Sequence, residues 1–235
     1  EDFFQPGTQP NPAGMQAFEV SVFTCTNCHR FEEDNNPDVM TAPYDNWSLS
    51  LMAQSARDPV WQAAVTIANQ DAAGSGEYCI RCHAPMGWGS GRSTTGNIDD
   101  LWVPDDTDGV SCNFCHRMVD PILSAENPVE DASILQDLVD AGTYPDPAHP
   151  GNGRFIFDPL DSRRGPLDDV TINMHGSSQI LHSPFHSESA MCASCHDLAN
   201  PVFTWDESIQ SFELNALDAA HPTQDVYDML PEQRT

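Results

Sequence analysis

The five-residue pattern Cys-x-x-Cys-His occurs four times, at 25–29, 79–83, 112–116 and 192–196, and these copies use all eight cysteines of the chain. A zinc knuckle, an iron–sulfur site or a redox-active dithiol also pairs cysteines two residues apart, but none requires a histidine immediately afterwards. Histidine fills nine of 235 positions, so its recurrence after all four pairs has a chance probability on the order of one in a million. Structural disulfides are a weaker alternative, because cysteines two residues apart rarely close a useful loop. The chemistry that uses all three residues is covalent attachment of haem c. The two thiols form thioethers to the porphyrin vinyl groups, and the short tether sets the histidine beneath the iron as an axial ligand. Four c-type haems are therefore expected. Their anchors are Cys25, Cys28, Cys79, Cys82, Cys112, Cys115, Cys192 and Cys195, and their proximal iron ligands are His29, His83, His116 and His196.

Haem also answers a compositional problem. Only 39% of the residues are hydrophobic, and nineteen prolines with fourteen glycines describe a loop-rich chain that would struggle to build an ordinary core. Four macrocycles bring apolar faces that can replace side-chain core, so the apoprotein is expected not to fold. The fold class expected is mainly α with extensive irregular loops and little β. Acidic residues outnumber basic ones by 36 to 9, lysine is absent, and the formal charge is −27. That balance argues against nucleic acid or an anionic membrane as partner, and suits either plain solubility or steering of a basic redox protein. Among the scarce arginines, Arg57, Arg81, Arg117, Arg163 and Arg164 stand nearest the motif-rich stretches. Each is a candidate for gripping a haem propionate, with a surface ion pair as the alternative.

Along the chain, residues 1–20 read as an extended arm, either disordered or docked on a neighbouring copy, ahead of a single tetrahaem domain over 21–235. Asp58 followed by Pro59 predicts a helix start, and Val60, Trp61, Ala64, Val65 and Ile67 continue an apolar stripe suited to covering a haem face. Ile134, Leu135, Leu138 and Val139 predict a helix between Val129 and Ala141, closed by Gly142. The first cysteines of successive motifs are 54, 33 and 80 residues apart, so no single module repeats. The short middle interval points to the second and third haems as near neighbours. The acidic runs 32–38 and 105–108 offer oxygen ligands for calcium, although solvated turns are the expected role. No run of about twenty apolar residues is present, so no transmembrane segment is expected. The start at Glu1, without a basic and apolar leader, reads as a processed, exported chain, and the stop at Thr235 is compatible with a piece of a longer cytochrome.

What fills the sixth position of each iron separates a carrier from an enzyme. Five histidines stand outside the motifs: His149, His175, His182, His186 and His221. Four irons need four distal ligands, so all-bis-histidine ligation is expected with one of the five to spare. Met52 and Met174 are the alternative ligands, of the kind that raises a haem potential.

The motif flanks add a resemblance. The stretches Trp-Ser-Leu-Ser-Leu-Met-Ala-Gln-Ser-Ala-Arg-Asp-Pro over 47–59, Tyr-Cys-Ile-Arg-Cys-His-Ala-Pro over 78–85 and Gly-Val-Ser-Cys-Asn-Phe-Cys-His over 109–116 carry most of it. Arg-Arg-Gly-Pro over 163–166, Ser-Pro-Phe-His over 183–186 and Cys-Ala-Ser-Cys-His-Asp over 192–197 complete it. Across roughly 20–205 the chain resembles exported multihaem cytochromes and is similar to the tetrahaem cytochromes of the hydroxylamine-oxidation pathway. The resemblance implies a multihaem cytochrome c fold organised around four stacked haems, and an electron carrier rather than an enzyme. A narrower resemblance, to four-haem extracellular cytochrome filaments, implies self-association into a nanowire whose subunits complete one another's haem sites. A discrete periplasmic carrier exchanging electrons with other redox proteins is the alternative location and state. A multihaem oxidoreductase with one open iron is the rival activity.

Overall fold

Helix starts are set locally and repeatedly by the same devices. Asp58 caps the longest helix of the N-terminal half by accepting from the Val60 N–H at 2.9 Å, with Pro59 in the first turn. Ser21 and Ser50 cap two further helices through their hydroxyls. The computed structural model describes residues 4–10, 20–30, 42–102, 104–146, 148–170, 179–216 and 219–234. It divides the chain into two compact units, Pro10–His116, and Arg117–Thr235 together with Glu1–Gln9.

The first unit is helical. It holds α1 (Val22–His29), α2 (Pro43–Ser48), α3 (Leu51–Gln54), α4 (Pro59–Asp71), α5 (Gly76–His83), α6 (Pro85–Gly89) and α7 (Cys112–His116). In α4, Trp61 and Val65 face inward one turn apart, whereas Val60 and Ile67 of the expected stripe remain exposed. Trp88 on α6 is fully buried. Its indole N–H donates to Glu77 at 2.6 Å, and the Arg81 guanidinium lies 4.6 Å from its ring centre. Trp47 donates from Nε1 to the Val110 carbonyl at 2.7 Å, tying α2 to the approach to the third motif. Gly109 sits there at φ 67°, ψ −142°, so close that an added Cβ would lie 2.2 Å from the Met52 carbonyl oxygen. Only glycine fits that conformation and that gap.

The acidic run 105–108 is occupied by arginine. Asp106 is fully buried and grips Arg92 through both carboxylate oxygens, at 2.5 and 2.7 Å, while Arg57 stands 3.7 Å from Asp108. Two of its carboxylates thus serve structural ion pairs in place of a calcium ion. The other acidic run, 32–38, lies outside the described residues.

The second unit mixes helix and sheet. Helix α8 (Val129–Ala141) forms as expected and ends on Gly142 in the left-handed conformation, φ 71° and ψ 23°. Its Ile134 and Leu135 pack with Val119 and Ile156 into a core flanked by Leu138 and Tyr144, while Val139 stays exposed. Strands β1 (Arg163–Gly165) and β2 (Ile180–His182) pair in parallel, and helix α9 (Ser189–His196) carries the fourth motif. Beyond it, β3 (Leu198–Asp206) is flanked antiparallel by β4 (Ser211–Leu214) and β5 (Met229–Gln233). Strand is thus a small share of a mainly helical chain, in keeping with the expected fold class.

The described part of the N-terminal arm is tied into this same unit. The Gly7 N–H donates to Thr143 O at 2.6 Å, the Thr8 N–H donates to Phe155 O at 2.7 Å, and Gln5 accepts from buried Arg154 at 3.1 Å. Residues 5–8 thus bond to their own chain. Arg164, fully buried, bonds Asp131 at 2.6 Å and Asp158 at 2.8 Å. Arg117 donates to the Asp158 carbonyl and, with Arg163, meets Asp161. Three of the arginines proposed as propionate partners are thus held by the protein's own carboxylates.

Candidate haem sites

Each of the four motifs ends a helix. α1, α5, α7 and α9 stop at the motif histidine, His29, His83, His116 and His196 respectively. On a helix, positions i, i+3 and i+4 share one face. Both cysteines and the histidine of a motif therefore project to the same side, the arrangement that two thioethers and one axial bond to a single ring require. All eight cysteines are thiols with at least part of their surface open. His29, His116 and His196 are exposed, and His83 is half-buried. Among the described residues no three His, Cys, Asp or Glu side chains converge as a metal-binding group.

Thiol electrostatics run against a redox-active dithiol, which needs a thiol depressed toward neutrality. A hydrogen bond with Cys25 and burial both push the Cys112 thiol up, and burial together with Cys82 and Glu77 raises Cys79. The Cys25–Cys112 contact is informative in itself. It arises because α1 packs on α7, bringing the leading cysteines of the first and third motifs into touch. Spacing points to the second and third motifs as neighbours, and the structure adds a contact between the first and the third.

His83 is the most elaborately held of the proximal candidates. Its Nδ1 lies 3.3 Å from the Ser55 carbonyl, which can only accept, so the ring proton sits on Nδ1 and Nε2 keeps its lone pair. Trp61 stacks on the imidazole at 5.0 Å between ring centres, 8° from parallel. Burial lowers the His83 pKa, opposed by the Ser55 bond and Asp58, and favours the neutral imidazole a metal ligand must be. The buried Trp61 indole N–H has no partner among the described residues, the kind of donor that an added acceptor such as a propionate satisfies. Together with the outward Cys-x-x-Cys-His faces, this orphan donor fits the residues to haem. Sequence reasoning placed Trp61 on a stripe suited to covering a haem face and did not single out Ser55. Their signal lay in the spacing of the 47–59 stretch from the second motif, which only folding brings together.

At the fourth motif, His196 Nδ1 lies 3.4 Å from Gln233 Nε2 on β5. The loop at 151–153 braces the helix, with the Asn152 N–H donating to Asp197 O and the Gly153 N–H to Ser194 O. Buried Asn152 also accepts from the Ala199 N–H at 2.7 Å.

The distal candidates all follow Arg117 in sequence. His149 is partly exposed, packs edge-on against Tyr227 at 4.8 Å and stands 4.0 Å from Asp225. His182 is the exposed last residue of β2, and His186 sits in a short turn of 3₁₀ helix with its ring set at 89° to that of buried Phe185. His221 is different. It is buried, its Nδ1 accepts from the backbone N–H groups of Thr223 and Gln224 at 3.3 and 3.2 Å, and its Nε2 lies 2.9 Å from the Thr204 hydroxyl. Both ring nitrogens are engaged. His175 and Met174 lie outside the described residues, and Met52 is half-exposed.

Residues 24–117 match a family model described as cytochrome c554 and c-prime. The match supports a c-type cytochrome, and with it covalently bound haem and electron transfer. It contains the first three motifs and ends within one residue of the boundary of the first compact unit. No curated protein and no solved structure matches the chain. No helix among the described residues is long and apolar enough to cross a membrane.

Proposed function

We propose that this protein carries electrons through four haem c groups, one on each Cys-x-x-Cys-His helix, without chemistry of its own. The observation that carries the reading is the common placement of both cysteines and the histidine on one face of α1, α5, α7 and α9, each ending at the ligand. When bound, haem supplies the one-electron change between ferric and ferrous iron. The chain's own residues anchor the rings through eight thiols, present neutral imidazoles, and tune the sites by burial and charge. Distal ligation by His149, His175, His182 and His186 follows, with His221 the spare, since both of its nitrogens are spent on Thr204, Thr223 and Gln224. The Cys25–Cys112 contact supports close approach of the first and third haems. A formal charge of −27 favours ferric iron and so negative midpoint potentials on the hydrogen scale.

The chain is read as exported, and as a subunit of an extracellular filament in preference to a discrete periplasmic carrier. The spare histidine is compatible with this, but the docking of residues 4–10 on their own unit removes the arm as support for subunit exchange. Intact mass and a haem-to-protein ratio test the core reading. Four added haems are expected, and a Soret-silent protein of bare polypeptide mass would end it. Electron microscopy separates filament from monomer, and carbon monoxide binding to the reduced protein would reveal the open iron of an oxidoreductase.

A further inference from the structure

The second motif is held by a device that lies wholly outside its five residues. An imidazole on a helix end can turn about its Cβ–Cγ bond, and two contacts stop His83 from doing so. The Ser55 carbonyl fixes Nδ1 at 3.3 Å, and the Trp61 indole lies flat on the ring at 5.0 Å and 8°. The supports are themselves fixed. The Ser55 hydroxyl donates to the His83 carbonyl at 2.8 Å, so side chain and main chain of the histidine are tied to one residue. Trp61 is 7% exposed and sits two residues inside the Asp58 cap, so its backbone is set by the first turn of α4. Arg57 N–H to Gln54 O at 2.9 Å and Gln62 Nε2 to Ala56 O at 3.0 Å hold the connection between α3 and α4.

We propose that Trp61 and Ser55 are positioning residues that lock the ring plane and tautomer of His83, giving the second haem site an axial imidazole of one set orientation. This rests on the haem reading above. The ligand plane governs how the iron d orbitals split, and second-shell contacts to a ligating histidine tune the metal. The second site therefore has its own spectroscopic signature and potential, distinct from sites whose ligands end exposed helices.

The test is electron paramagnetic resonance and a spectroelectrochemical titration of the oxidised, haem-loaded full chain, comparing wild type with Trp61→Leu and Trp61→Phe. In Trp61→Leu one ferric low-spin signal shifts or broadens and one midpoint potential moves, while the other three hold. Trp61→Phe, which keeps a flat ring against His83, restores the wild-type signal. Four unchanged signals and potentials in Trp61→Leu would overturn the clamp. Should Trp61→Leu fail to mature, Trp61→Met is read in the same way. Peptide mass mapping of 79–83 keeps the two failures apart. Absence of haem on Cys79 and Cys82 in the wild type refutes the haem reading, whereas haem present with an unresponsive signal refutes only the clamp.

Discussion

The two compact units are stabilised in different ways. The first, Pro10–His116, carries three of the four motifs on seven short helices, and its motif helices α1 and α7 touch through thiols that haem attachment would consume. The second, Arg117–Thr235 with Glu1–Gln9, carries one motif but builds a three-stranded sheet, the core around Ile134 and Leu135, and a buried arginine–aspartate network. Arginine is paired with carboxylates in both units, and stacking on indole rings is added in the first. In the first unit Arg81 and Arg92 lie over Trp88 and Trp102, whereas in the second Arg117, Arg163 and Arg164 share three aspartates. The family match stops where the first unit stops. The recognisable portion is therefore the one that carries three of the four motifs.

The sharpest way to break this contrast is to withhold haem. In chain produced without attachment, amide hydrogen exchange is expected to show α1, α5 and α7 unprotected, while α8 and the β3–β5 pairing retain protection. Uniform loss in both units would return the chain to a single cofactor-dependent body, the outcome its composition alone suggested. Next in size is Arg164→Leu. It strands Asp131 and Asp158, both nearly or fully buried, and removing one partner of a buried ion pair costs about 3–5 kcal/mol. Chemical denaturation should register that loss with haem content unchanged. A variant as stable as wild type would show that the network does not hold the second unit together.

Much of this was legible beforehand, and the remainder was hidden for physical reasons. The start of α4 at Asp58–Pro59 and the whole of α8 follow from capping and spacing, which are local. The β3–β4 pairing had a readable signal in Val202, Phe203, Thr204 and Trp205 ahead of a four-residue turn, obscured by the irregular segments on either side. Trp61 beside His83, Gln233 beside His196 and the pairing of the first motif with the third are contacts across tens of residues or more. Sequence spacing carries no information about such contacts, and the 33-residue interval pointed elsewhere. Sequence left open whether His149 or His221 joins His175, His182 and His186 as a ligand candidate, and only the fold shows His221 bonded at both nitrogens.

Gly109→Ala probes the first unit without touching a ligand. The backbone there, at φ 67° and ψ −142°, is one that side chains rarely adopt, and the added methyl meets the Met52 carbonyl at 2.2 Å and the Ser55 hydroxyl at 2.6 Å. Strain of that kind costs about 1–3 kcal/mol before any clash is counted. The expected result is a lower melting temperature with reduced haem loading at the third motif. Its neighbour in α3, Ser55, also carries the His83 contact, so a disturbance of the second site should accompany it.

The smallest expected effect is a gain. Burial raises the Asp108 carboxyl above the usual range, Arg57 at 3.7 Å opposes this only in part, and Asp105 adds to it. A carboxyl whose folded-state pKa lies above its unfolded value stabilises the fold fully only below the unfolded pKa, about 3.9, and that contribution disappears as pH rises through the folded value. The Asp108 Oδ2 is buried with no hydrogen-bond partner among the described residues, so ionisation there is opposed by burial. Asp108→Asn removes that charge. Because Arg57 is 44% exposed, losing its partner costs little. The variant should be more stable than wild type by about 1 kcal/mol at neutral pH, with the two melting curves converging as the solution is acidified toward pH 4. A variant less stable at pH 7 would mean that pairing with Arg57 outweighs burial, and that ion pairs stabilise the first unit as they do the second.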